Sequence, residues 1–222
     1  MTTKYVTALA IAATIMVPTV QAETFATSTG TFTRGSVPGD FPGFYGGSFP
    51  GSFPVPLDDA SARASVLGTP DNRFVSLPGS PGIEGEFIGA YGEVSFGSNF
   101  DPNTTILKIW ELGDNQESAR VFLWGNNGGN VHFDFTRGAT DLTSFDLSSY
   151  AGALAGIDGS TSITKVGIGG LDEFGTSKGF DLDAVSIIPE PETYAMLMAG
   201  LGLIGFMARR KKMASLKTSL PK

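Results

Sequence analysis

The chain runs to 222 residues, with 15 Lys and Arg against 22 Asp and Glu for a formal net charge of −7. It contains no cysteine, which excludes disulfide scaffolds, thiolate metal sites and cysteine nucleophiles. Stability must come from an apolar core, from bound ions or from partners.

The first segment is built like a secretory leader. Lys4 gives a positive start, residues 8–17 are apolar, and Val20-Gln21-Ala22 precedes an expected cut at Ala22/Glu23. The other readings are an uncleaved anchor or a buried core helix. Against both, the apolar run is short and Pro18 interrupts it just before the cut.

Residues 23–59 are expected to form an extended segment. The stretch 35–57 is rich in Gly, Pro and Phe and repeats itself as Gly47-Ser48-Phe49-Pro50 and Gly51-Ser52-Phe53-Pro54. Closely spaced Pro and Gly rule out a regular helix or a central strand. Its aromatic side chains could serve as adhesive contacts or as cover for the apolar surface of the domain that follows.

From residue 60 to 188 the hydrophobic period is two. Val131, Phe133 and Phe135 alternate with His132, Asp134 and Thr136, and Phe180, Leu182 and Ala184 alternate with Asp181 and Asp183. Val121 and Leu123 alternate with Phe122 and Trp124, so that strand is apolar on both faces. Further strands are expected at 73–77, 84–88, 92–96, 105–112, 144–147 and 163–168, with one helical turn at 61–67. Many short strands punctuated by turn residues indicate an all-β, antiparallel β-sandwich.

The run from Ala64 to Asp71 followed by Phe74-Val75-Ser76-Leu77 resembles the opening of galactose-binding-like jelly-roll domains. Leu107-Lys108-Ile109-Trp110-Glu111, Glu117-Ser118-Ala119-Arg120-Val121 and the run from Gly179 to Val185 are similar to their later blocks. The resemblance implies a jelly roll of about eight strands, a fold often used for carbohydrate or surface binding. It transfers no sugar specificity, because ligand loops vary freely on one fold.

Candidate chemistry is sparse. His132, the single histidine, falls on the polar face of its strand, and no Gly-x-Ser-x-Gly elbow accompanies it. Carboxylates are plentiful, yet no pair stands out as a glycosidase acid and base. Asp181 and Asp183 are two apart on a strand and share a face, where they could ligate calcium, with Asp58, Asp59 and Asp71 as further ligands. The jelly-roll resemblance implies such a structural calcium; the alternative is that these acids face solvent. Trp124, with Tyr91, Tyr150 and Trp110, could stack on a sugar, and Asn126 and Asn127 in the following loop could bind its hydroxyls. The same loop also reads as an ordinary hairpin turn, and the tryptophans as core.

The tail carries the most specific pattern. Pro189-Glu190-Pro191 precedes an apolar span at 193–208, expected to form a single C-terminal transmembrane helix, and the basic cluster Arg209, Arg210, Lys211 and Lys212. Sixteen helical residues would measure about 24 Å, short of the roughly 30 Å hydrocarbon core. Gly200, Gly202 and Gly205 suit close packing against another helix. The basic cluster places that end in the cytoplasm, and 213–222 follows it as a cytoplasmic tail. The order of parts resembles a PEP-CTERM protein-sorting signal at 189–212. That resemblance implies recognition by an exosortase, a membrane-embedded processing enzyme of Gram-negative bacteria that make exopolysaccharide. It also implies cutting near Pro189–Pro191, passage through the inner membrane, and release to the cell surface or extracellular matrix.

Losing Lys4, and the six basic and one acidic residues from Glu192 onward, leaves 8 basic against 21 acidic groups, a net of −13. Such a product disfavours nucleic acid and anionic lipid as partners and leaves neutral sugars and cations open. The expected protein is a non-enzymatic structural or adhesive component of the exopolysaccharide layer. The alternatives are a carbohydrate-binding module with a defined pocket and, third, a glycoside hydrolase.

Overall fold

The computed structural model describes residues 22–34, 44–50, 55–79, 89–113, 117–172 and 179–189, together with Gly200. The chain divides into two units, Ala22–Glu190 and a second made of Met1–Gln21 with Pro191–Lys222. The expected leader as far as Gln21, the strand at 84–88, Glu190, Pro191, the span at 193–208 (Gly200 apart) and the basic cluster at 209–212 lie outside the described residues. Among the described residues no helix is long and apolar enough to cross a membrane.

Strands fill the unit 22–190. In chain order they are β1 (Thr24–Phe25), β2 (Ser28–Thr33), β3 (Phe44–Ser48), β4 (Val55–Leu57), β5 (Arg73–Leu77), β6 (Tyr91–Ser95), β7 (Thr105–Glu111), β8 (Ser118–Gly125), β9 (Asn130–Thr136), β10 (Leu142–Asp146), β11 (Ile163–Gly170) and β12 (Phe180–Pro189). The helices α1 (Asp59–Ala64) and α2 (Ser148–Asp158) accompany them. A seven-stranded sheet runs β10-β7-β12-β5-β3-β4, with β1 also pairing to β12, and a five-stranded sheet runs β2-β6-β11-β8-β9. The strand pairs are antiparallel, as expected for a jelly-roll sandwich.

Alternation explains the core. Leu107 and Ile109 of β7, Ala119, Val121 and Leu123 of β8, and Val166 and Ile168 of β11 meet between the sheets. Removing such side chains from water is the main term holding a disulfide-free sandwich together. The side between β9 and β10 is closed by rings: Phe133 stacks on Tyr150 at 4.4 Å, and Phe135 meets Phe145 and Phe180 edge-on.

Four features depart from the sequence expectation. The sandwich begins well before residue 60, since β1 to β4 belong to its sheets. The excluded central strand exists: β3 lies between β4 and β5. Gly46 permits it, because a Cβ there would lie 2.0 Å from the Phe74 carbonyl oxygen, so the backbones approach only over a glycine. Within residues 35–57 the strand proline, Pro56, sits on the edge strand β4. Finally, α2 forms over residues for which no element was expected; its single buried residue is Leu154, so it has almost no apolar stripe. The turn expected at 61–67 forms earlier, as α1, because Asp58 caps it by accepting the Ser61 N–H at 2.7 Å.

The expected cut point leads directly into the fold. Glu23 Oε1 accepts from Ser186 Oγ at 2.6 Å and pairs with Lys108 at 3.2 Å, and Thr24 lies opposite Ile187.

Candidate functional sites

Two regions of the sandwich concentrate chemistry. The first is the outer face of the five-stranded sheet. Arg120, Phe122 and Trp124 of β8 point away from the core because Ala119, Val121 and Leu123 point into it. Lys165 of β11 lies opposite Trp124, with its ammonium 4.6 Å from the indole ring centre. The same ammonium donates to Glu93 Oε1 at 2.8 Å. Tyr91 donates its hydroxyl proton to that oxygen at 3.0 Å and accepts the Trp124 indole N–H at 2.9 Å. Phe122 meets Tyr91 edge-on at 5.4 Å and His132 at 5.7 Å. Arg120 forks onto both oxygens of Asp134.

Burial shapes the ionisation of this layer. Glu93 is only 4% exposed. Burial would raise its carboxyl, but hydrogen bonds from Lys165, the Thr31 N–H and Tyr91, with the Lys165 charge, hold it below the ordinary range. Burial pushes the Tyr91 phenol up, and the adjacent Glu93 charge adds to that. The Arg120 hydrogen bonds hold Asp134 low. The result is a fixed network of aromatic and charged groups on a half-buried surface.

Trp124, Asn126 and Asn127 are each engaged by partners within the sandwich. Trp124 is engaged by Tyr91 and Lys165. In the turn, Asn126 Oδ1 accepts from the Thr161 and Ser162 N–H groups at 3.0 and 3.2 Å. Asn127 donates its backbone N–H to Ser160 Oγ and its amide to the Asp158 carbonyl. The turn is thereby fastened to the segment that ends α2. Of the other aromatic candidates, Tyr150 stacks within the edge cluster and Trp110 lies against Phe25 at 5.5 Å.

The second region lies at the sheet end where β7 stops, β12 starts and the loops preceding β8 and β10 cross. Backbone bonds assemble it: Glu111 N–H to the Asp141 carbonyl, Leu112 N–H to Asp181, Arg137 N–H to Glu117, and Leu171 N–H to Ser118. Glu111, Glu117 and Asp181 are 2, 2 and 3% exposed. Arg137, itself buried, contacts Glu111 Oε2, Asp141 Oδ1 and the Gly113 carbonyl. The Ser118 N–H donates to Asp172. Burial drives the Glu111 and Glu117 carboxyls up; the charges of Asp172 and, at Glu117, Asp181 push the same way, while Arg137 opposes at Glu111. Sequence reading missed this cluster, because nothing local to Glu111 announces Glu117 or Asp181 as a neighbour.

The expected calcium ligands are divided among separate tasks. A bulge between Leu182 and Ala184 breaks the alternation on which the pairing of Asp181 with Asp183 rested. Asp183, 2% exposed, accepts from the Asp71 and Asn72 N–H groups at 3.3 Å each. Burial raises it to about 6 against those bonds. Asp58 caps α1 and Asp59 pairs with Arg34 at 3.0 Å. The acids at 181 and 183 are buried, contrary to the solvent-facing alternative. Among the described residues no group of three or more His, Asp or Glu side chains is placed to hold a metal ion.

Residues 188–211 match the PEP-CTERM protein-sorting motif. No curated protein matches the chain. Among solved structures it is similar to a truncated AlyQ with CBM32 and alginate lyase domains, at 14% identity and a TM-score of 0.44, covering 78% of this chain and 34% of that one. It is also similar to the CBM32 of AlyQ in complex with 4,5-unsaturated mannuronic acid, at 14% identity and 0.39, covering 72% and 98%. A Streptococcus pneumoniae fucose binding module follows at 13% identity and 0.34, covering 53% and 70%. The chain thus spans about a third of the first of these proteins.

Proposed function

We propose that this chain is the precursor of a non-enzymatic structural or adhesive protein of the exopolysaccharide layer. An exosortase-type membrane enzyme processes it at the tail and delivers it to the surface or matrix of a Gram-negative cell. The PEP-CTERM motif marks an exported protein, and its position carries the reading. The match starts at residue 188, and Pro189, the last residue of β12, still pairs with Thr105. A cut just beyond Pro189 removes the apolar span and the basic cluster while leaving the sandwich whole. The acidic product then contacts neutral polysaccharide and cations through many weak surface contacts.

The non-enzymatic part rests on how titratable groups are used. Glu93, Lys165, Arg120 and Asp134 are held in fixed pairs, and His132 is an exposed residue against Phe122.

A carbohydrate-binding module is the second reading, favoured by the row of Tyr91, Phe122, Trp124 and His132 on the outer sheet face. Saturable binding on a glycan panel, lost on Trp124→Ala with the fold intact, would establish it.

The deciding experiment for the main reading is intact mass of the protein from membrane and extracellular fractions of its host. A product running from about Glu23 to about Pro191 supports it. A chain still ending at Lys222 in the membrane, unchanged when the processing enzyme is deleted, overturns it.

A further inference from the structure

We infer that the free edge of β9 pairs with the same edge of a second copy of this chain, joining two five-stranded sheets into one. The ladder to β8 fixes which backbone groups are free. Gly125 N–H donates to the Gly129 carbonyl and Arg137 N–H to the Glu117 carbonyl, and the register between them is unbroken. Alternation then turns the odd-numbered N–H and C=O groups toward β8 and those of Asn130, His132, Asp134 and Thr136 outward. Among the described residues no hydrogen bond reaches those outward groups. The other edge strands are blunted, as proteins commonly blunt them. On β2 a bulge lies between Thr29 and Phe32, and Arg63 donates to the Gly30 carbonyl at 2.6 Å. Strand β4 has three residues, one of them Pro56. On β10 the Leu142 and Asp146 carbonyls accept from the Thr140 and Ser149 hydroxyls. The seven residues of β9 carry no proline, bulge or capping hydroxyl along that edge.

A row of outward N–H and C=O groups is completed by another extended strand, and the side chains select a second copy. About a two-fold axis at Phe133, antiparallel pairing sets His132 against Asp134 of the second copy and Asn130 against its Thr136, each contact made twice. Sliding the strand by two residues either way sets Asp134 against Asp134 or His132 against His132, so charge favours the one register. Arg120 forks onto Asp134 at 2.6 and 2.9 Å, and the Asp134 side chain remains 48% exposed. In the dimer that carboxylate lies between Arg120 of its own chain and His132 of the other. On the opposite face Phe133, only half-buried, meets its copy at the axis. The two stand in a pair without backbone bonds, where side chains come closest. The rings already packed there, Phe145 and Tyr150, then continue from one copy to the next. This inference goes beyond the adhesive reading and stands whether or not the protein serves in a polysaccharide layer.

The test uses protein purified from its host. Sedimentation over a wide range of concentration should show a monomer–dimer equilibrium. His132→Pro removes an outward N–H that bonds nothing within the fold, at a position where an edge strand accepts proline. It should keep the circular dichroism of the unaltered protein and weaken association by about tenfold or more. A chain that stays monomeric at millimolar concentration overturns the inference. So does a dimer that His132→Pro leaves unchanged. Hydrogen exchange locates the contact without a variant: the amides of Asn130, His132, Asp134 and Thr136 should slow as concentration rises and the dimer forms. Fast exchange of those amides in the dimer overturns the edge pairing. Protection of the same amides in the monomer by another protein of the host overturns the second copy as occupant.

Discussion

The Trp124 indole N–H reaches the Tyr91 hydroxyl at 2.9 Å although the two residues stand on strands separated by β11. The bridge passes over Gly167, where a Cβ would lie 2.1 Å from the Tyr91 hydroxyl oxygen. A glycine in mid-strand is thus the condition for an aromatic span across three strands.

Gly167→Val should therefore displace Tyr91 and uncouple Trp124. We expect a loss of about 1–3 kcal/mol in unfolding free energy, of the size seen for overpacked sites. Denaturant melts would record it, together with a changed tryptophan emission. Unchanged emission and stability would show that the ring pair has room to spare.

Glu93 sets the acid limb of stability. Its carboxyl is held low in the folded state, so its contribution is present above the unfolded value of 4.5 and is lost as pH falls through the folded value. Glu93→Gln should lower stability at pH 7 by about 1–3 kcal/mol, since a buried ion pair loses one partner. It should also flatten the pH dependence below 4.5. Parallel melts at pH 3 and pH 7 would check both.

The acidic end has the opposite sign. Glu111 rises to about 7 and Glu117 to about 10, values that belong to the pair. The folded protein therefore holds protons that the unfolded chain has released. Their stabilisation is complete below pH 4.5 and fades as pH rises through those folded values. The urea midpoint should be lower at pH 8 than at pH 5, and Glu117→Gln should shrink the difference. A midpoint that increases over this interval would contradict the sign.

Phe180 is fully buried and closes the aromatic edge against Phe135 at 5.4 Å. Phe180→Ala should cost about 3–5 kcal/mol, through lost burial and the cavity left behind. Thermal or denaturant unfolding would measure it.

What the sequence disclosed follows from how local each signal is. The alternation at Val131, Phe133 and Phe135 names the inner face of β9 correctly, because a strand with one wet face has a period of two. Trp124 was legible as a residue on a strand with apolar side chains on both faces. Its partner Tyr91 is brought near by register across β11, which no window of sequence contains. Asp181 and Asp183 misled because a bulge offsets the pleat and β12 is covered on both faces, leaving no wet side for acids to occupy. The β3 strand was hidden by glycines that serve backbone approach at Gly46, and α2 by Gly152 and Gly156 within it. Its stop signal was present all along, since Gly159 ends it at a φ of 75°.

Thr24 pairs with Ile187 and Thr105 with Pro189, so the chain enters and leaves the sandwich at one corner. Both expected processing cuts therefore border the same small patch of sheet. A linker of a few residues could join them, with new termini opened at the exposed turn of Asn126 to Gly128, and such a circular permutant should still fold. The corner also determines how the domain bears a load while its tail is held. Tension at Pro189 enters along β12, inside the seven-stranded sheet, and loads its hydrogen bonds to β7 together in shear. Tension at Thr24 meets only the short β1 and peels it away first.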